Sequence, residues 1–288
     1  INKILAQAAE QEKIILGVGS QRAGIDKDNL IGSFKVVRQY APSVPIIGNI
    51  GIGQISDKDF KLDDFSKCIE MINADVMAIH FNALHELVQK DGDVTYDNFS
   101  KNFQKIRNNF EIPIIAKEVG CGFNYETAKK LDEMGFDGFD IGGAGGTSFS
   151  KIEFYRSNEE NRLKRSLSKL FGEWGIPTPI SIKLVRKATN KPIIATGGLR
   201  NGMDILKSLF LGADFGGFAS KFLNSAWKDL KNSDISNTTY EIQQLKNELK
   251  SSMWLTNTKD LNLLKKNTKR YILMGKIKEW LIDSDQTF

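Results

Sequence analysis

A chain of 288 residues, 41% hydrophobic and 26% charged, is long enough for one large barrel or two ordinary domains around a substantial core. Its net charge of +5 comes from scattered lysines, with no basic stripe interleaved with aromatics, which excludes a nucleic-acid binder and is compatible with an anionic small molecule. Two isolated cysteines, Cys68 and Cys121, exclude a disulfide framework and point to a reducing, cytoplasmic setting, while no apolar run approaches the length of a membrane span and Ile1–Leu5 does not open a signal peptide.

A helix over Ile4–Gln11 comes first, with no strand before it. Near-continuous apolar runs then predict seven strands, at Ile14–Val18, Val44–Ile50, Asp75–Phe81, Ile112–Lys117, Gly138–Ile141, Pro192–Thr196 and Asp214–Ala219. Amphipathic patterns between them predict helices at Asn29–Tyr40, Asp57–Ile72, Tyr96–Asn109, Asn124–Met134, Asn161–Ala188 in two pieces, and Gly202–Leu211. Strict alternation of this kind means a parallel α/β architecture. Polar residues gather at the C-terminal ends of many strands, which favours a (βα)8 TIM barrel over an open sheet with a single switch point. The expected eighth strand, the first of the barrel, would lie upstream of Ile1. One domain is expected over 1–288: a barrel to about residue 232, then a polar loop and Lys-rich terminal helices at Tyr240–Met253 and Leu261–Ile282. The sequence shows no internal repeat.

The strongest chemical signal is Thr196-Gly197-Gly198-Leu199-Arg200-Asn201-Gly202, followed by Gly216-Gly217-Phe218-Ala219-Ser220. Glycines after the last two strands let backbone N–H groups approach a phosphate, and a helix beginning at Gly202 adds its dipole. Asp140-Ile141-Gly142-Gly143-Ala144-Gly145-Gly146-Thr147-Ser148 is a further Gly-rich run at a strand end, with Thr147. Lys117 ends an apolar strand, where it can answer negative charge on a flavin edge. The only two histidines, His80 and His85, share one strand end with Asn82 and Glu86; His80 and Asn82 point the same way by strand alternation, and Glu86 suits Mg²⁺. Arg22, in Gly17-Val18-Gly19-Ser20-Gln21-Arg22, is a donor fork suited to a diphosphate, and Asn49 ends the second strand.

In this order, the segments 17–22, Asn49, His80-x-Asn82-x-x-x-Glu86, Lys117-Glu118, 143–147, Trp174-Gly175-Ile176-Pro177-Thr178 and 197–202 resemble the type 2 isopentenyl-diphosphate isomerases. The resemblance covers nearly the whole chain before the helical tail. It implies a homotetramer or homo-octamer that interconverts isopentenyl and dimethylallyl diphosphate, using reduced FMN and Mg²⁺ with NAD(P)H as reductant. It implies that Ser20, Asn49, Lys117, Thr147, Gly197, Gly198, Arg200, Gly202, Ala219 and Ser220 hold FMN. Gln21, Arg22, His80 and Asn82 would contact substrate, Glu86 would hold Mg²⁺, and His80, His85 and Lys117 would serve catalysis. The family has Asn-Pro-x-Gln-Glu where this chain has Asn82-Ala83-Leu84-His85-Glu86, so His85 stands in place of a proposed proton-transfer amide. An imidazole there is expected to keep the proton role and make the rate more pH-dependent. The family's basic N-terminal segment and Met-Thr-Gly-Gly-like first turn do not occur in residues 1–288; without them weaker FMN and diphosphate binding and an open sheet edge are expected.

Two other readings share these residues. A 2-hydroxy-acid oxidase has the same phosphate loops but needs a histidine between the sixth and seventh strands, and no histidine occurs there. An FMN-binding paralogue with altered or lost activity is compatible with His85.

Overall fold

In the computed structural model, residues 1–89, 92, 94–157, 161–261 and 271–286 are described. Seven parallel strands follow one another across the sheet in chain order. They are β1 (Leu16–Gly17), β2 (Ile46–Gly51), β3 (Val76–Phe81), β4 (Ile114–Glu118), β5 (Gly138–Asp140), β6 (Ile193–Ala195) and β7 (Phe215–Gly216). All seven predicted strands are present, mostly trimmed at their ends, in a sheet that curls as an incomplete TIM-like barrel. Among the described residues, nothing pairs with the outer edges of β1 and β7.

Register sorts the side chains into two faces. Ile50, Ile79, Ala116, Phe139 and Ile193 are partners across β2 to β6, and all are fully buried in one cluster against the helices. Stacked rings of Phe103 and Phe136, 4.4 Å apart, fill that outer layer. The neighbouring register row is His80, Lys117 and Asp140, so by strand alternation these point to the opposite, inner face.

Helices surround the sheet: α1 (Asn2–Glu12), α2 (Arg22–Asp26), α3 (Gly32–Tyr40), α4 (Ile52–Ser56), α5 (Leu62–Ile72), α6 (Ala83–Val88), α7 (Phe99–Asn109), α8 (Tyr125–Glu133), α9 (Phe149–Arg156), α10 (Arg162–Leu170), α11 (Thr178–Ala188), α12 (Gly202–Leu211), α13 (Ser220–Asn232), α14 (Ser236–Leu255) and α15 (Lys276–Gln286). The expected helix at Asp57–Ile72 begins only at Leu62, because Asp57 ends the unpredicted helix α4 and Lys61 is still extended. The short helices α2, α6 and α9 fall in segments read as loops. In the predicted Leu261–Ile282 helix, residues 262–270 lie outside the described residues.

At the bottom of the barrel one device recurs, although the sequence showed no repeat. Asp75, Asp137 and Asp214 each stand just before a strand. Each accepts the first backbone N–H of the preceding strand, from Ile46 (2.7 Å), Ile114 (2.8 Å) and Ile193 (2.9 Å). Each also pairs with an arginine on the helix that leads into that preceding strand, Arg38 of α3 (2.6 Å), Arg107 of α7 (2.9 Å) and Arg186 of α11 (2.7 Å). Charge-assisted bonds of this kind tie strand, helix and next strand together. At the other end of the chain, α14 packs on α1, α12 and α13. Lys246 of α14 reaches Glu12 at 2.9 Å, so the outer helices join the first and last units. Among the described residues no helix is long and apolar enough to cross a membrane.

Candidate active site

The inner face carries a chain of polar contacts near the C-terminal ends of β2 to β6. Asn49 is buried; its Nδ2 donates to Val18 O at 3.1 Å and its Oδ1 lies 2.8 Å from His80 Nδ1. Lys117, the register partner of His80, donates to Glu118 O at 3.1 Å and stands 3.9 Å from Asp140 Oδ2. Asp140 accepts from the Thr196 hydroxyl, whose oxygen accepts Gly142 N–H at 2.8 Å. Of these, Asn49, His80 and Lys117 were legible as candidates, whereas Asp140 and Thr196 were read only as parts of Gly-rich motifs. Strand register is the signal that would have placed them.

Burial shifts the titrations of His80, Glu118 and Cys121 in this region. Burial first, then the charges of Lys117 and His85, lower His80 to about 4, so its imidazole is neutral near physiological pH. Burial raises Glu118 to about 7, although its Oε2 accepts Cys121 N–H at 2.5 Å and Gly122 N–H at 2.9 Å. Glu118 thus shapes the turn after β4, and sequence reasoning assigned it no role.

Gln21 sits deeper than a substrate contact requires. It is fully buried: its Nε2 donates to Cys68 O at 2.8 Å and its Oε1 accepts Asn49 N–H at 2.9 Å. Arg22 is 57% exposed beside Asp26 at 3.5 Å, its fork largely in water. Ser20, Thr147, Arg200, Ala219 and Ser220 are exposed around the strand ends.

The phosphate loops divide into one occupied helix end and one open end. At α12, Asn201 Oδ1 accepts Asp204 N–H at 2.9 Å and Glu248 Oε2 accepts Gly202 N–H at 2.8 Å. A Cβ at Gly202 would meet Leu249 N at 2.2 Å, so glycine there admits α14. The dipole of α12, expected to serve a phosphate, is therefore already met by a carboxylate of the chain. At α13 the N-cap is Ala219, which has no capping oxygen, and among the described residues no side-chain cap meets its first turn. Gly197 and Gly198 have φ of +99° and +87°, and a Cβ on them would strike the carbonyl oxygens of Gly143 and Gly145. Loops β5–α9 and β6–α12 thus pack backbone to backbone beside that open helix end.

The third group lies on α6. Asn82 Nδ2 and Gln89 Nε2 donate to the two oxygens of Glu86 at 2.7 and 2.5 Å. His85 turns towards α9, with Nε2 3.3 Å from Glu153 Oε1 and its ring beside Phe149. Glu153 also pairs with Arg156 at 3.0 Å. Among the described residues no three His, Cys, Asp or Glu side chains group as a metal site.

A model of the FMN-dependent dehydrogenase family matches residues 75–270. The isopentenyl-diphosphate delta-isomerase of Methanococcus maripaludis is 43% identical over 286 residues, covering 97% of this chain and 77% of that protein. The chain belongs to the FMN-dependent isopentenyl-diphosphate delta-isomerase family. Further relatives of that name come from Thermococcus kodakarensis, 40% identical over 98% of this chain and 74% of theirs, and Archaeoglobus fulgidus, 38% identical over 98% and 78%. Among solved structures, mandelate oxidase with benzoyl-formic acid superposes with a TM-score of 0.59 at 12% identity, over 92% of this chain and 71% of that one. That likeness shows the barrel fold alone.

Proposed function

We propose that the chain interconverts isopentenyl and dimethylallyl diphosphate with reduced FMN and Mg²⁺. The observation that carries this is the polar row Asn49–His80–Lys117–Asp140–Thr196 at the strand ends, beside an uncapped α13 N-terminus, in a chain of this family. Gly197, Gly198, Ala219 and Ser220 hold the cofactor phosphate, where backbone N–H groups and the α13 dipole meet negative charge. Ser20, Thr147 and Arg200 line the rim around it. Bound reduced FMN supplies proton exchange at the allylic carbons without net redox change. Lys117 stabilises negative charge at the pyrimidine edge. Arg22, His80 and Asn82 face the substrate. Glu86 is a single carboxylate held by two amides, which suits a Mg²⁺ that arrives on the substrate diphosphate and keeps several waters. NAD(P)H is the reductant, the setting is cytoplasmic, and the barrels assemble as a homotetramer or homo-octamer.

One observation favours a second reading. His85 is engaged with Glu153 on α9 and not with the inner row, which fits an FMN-binding paralogue that has lost turnover. An anaerobic assay with pre-reduced FMN, Mg²⁺ and isopentenyl diphosphate decides between them. Dimethylallyl diphosphate in the product is expected; FMN-loaded protein without product supports the paralogue.

A further inference from the structure

The orientation of Asn49 determines which nitrogen of His80 carries the proton. A side-chain amide has one donor end and one acceptor end. Val18 O is a carbonyl oxygen and can only accept, so the end of Asn49 that meets it at 3.1 Å is the NH2 group. The other end, 2.8 Å from His80 Nδ1, is then the oxygen, and it needs a donor. We infer that Asn49 is a positioning residue that holds His80 as the neutral Nδ1–H tautomer, leaving the Nε2 lone pair as a hydrogen-bond acceptor in the active site.

The surroundings agree. Asn49 is itself locked: its backbone N–H donates to Gln21 Oε1 at 2.9 Å and its carbonyl accepts Gln21 N–H at 2.8 Å, so the side chain has little freedom to turn over. The His80 ring lies over the end of β2, close enough that a Cβ on Gly51 would come within 2.8 Å of Nε2. The charged groups acting on the ring are Lys117 from β4 and His85 from α6, and with burial they oppose a proton on Nε2. Within the isomerase reading, on which this assignment of roles rests, His80 accepts a hydrogen bond and does not serve as a cationic clamp. The diphosphate charge then falls to Arg22 and the metal.

The presence of only two histidines makes the test direct. Long-range proton–nitrogen correlation spectra of the full chain with isotope-labelled histidine read each ring's tautomer, and His85→Gln assigns the remaining ring to His80. At neutral pH the His80 ring is expected to show a protonated Nδ1 and an unprotonated Nε2. Asn49→Ala is expected to shift the Nδ1–H to Nε2–H ratio by about fivefold to tenfold towards Nε2–H, the effect of one neutral hydrogen bond. A protonated Nε2 in the unsubstituted chain overturns the inference, as does an unchanged ratio in folded Asn49→Ala. The wild-type spectrum decides the tautomer even where the variant fails to fold. Because the readout needs no turnover, an inactive chain with the Nδ1–H tautomer sinks the isomerase reading alone.

Discussion

His80 near the end of β3 and Glu118 at the end of β4 set two titrations against each other. Burial favours the neutral form of both. His80 has a folded-state value of about 4, below its ordinary 6.5, so its contribution to stability is full above 6.5 and is lost as the pH falls towards 4. Glu118, raised from 4.5 to about 7, contributes fully below 4.5, and its contribution is lost as the pH rises through 7. Each effect amounts to roughly 3 kcal/mol at the outside, and between pH 4.5 and 6.5 they oppose one another. Glu118→Gln removes one of them while keeping an acceptor for Cys121 and Gly122. Its urea midpoint is therefore expected to climb more steeply than that of the unsubstituted chain over this range; parallel curves would refute the assignment. At this scale the sequence was informative wherever a residue type is rare in its setting. Two histidines at one strand end and a lysine ending an apolar run stand out. Asp140, Thr196 and Glu118 did not, because carboxylates and hydroxyls beside glycines read as turn chemistry until register places them.

The repeated Asp–Arg device acts on a larger unit. Asp75, Asp137 and Asp214 each connect two strands and the helix that leads into the first of them, and share no partner with one another. Replacing any one by Ala leaves a strand N–H without its acceptor and an arginine without its carboxylate, and is expected to cost about 1–3 kcal/mol. The double variant of Asp75 and Asp214 should lose close to the sum. Chemical denaturation of the two singles and the double checks this, and strong coupling would mean that the units are not independent. The motif escaped sequence reading because its members are single residues spaced by whole βα units, with the arginine at a variable offset. The long strands were legible for the opposite reason: burial on both faces leaves a continuous apolar run. The short helices α2, α6 and α9 were not, since five to eight residues give too few turns for an apolar stripe to show.

At the scale of the molecule, α14 stands out. It was predicted as a tail helix packed on the barrel, and it meets α1, α12 and α13 together. Ile242 and Leu245 bury themselves in that contact. Leu245→Ala is expected to cost about 2–4 kcal/mol, and to speed amide exchange in α1 and α12 alike, although these lie at opposite ends of the chain. Faster exchange confined to α14 would mean that it is an appendage. The barrel order was readable from alternation alone, but this closure was not, because the contact depends on a glycine at 202 and a glutamate at 248 that no local pattern links. Among the described residues the outer helices act as a clasp: α1, α13 and α14 join the unit that holds β1 to the unit that holds β7. A flavin held at the strand ends of both units would load that clasp, so cofactor loading should slow exchange in α1 and α14, neither of which supplies a proposed flavin contact.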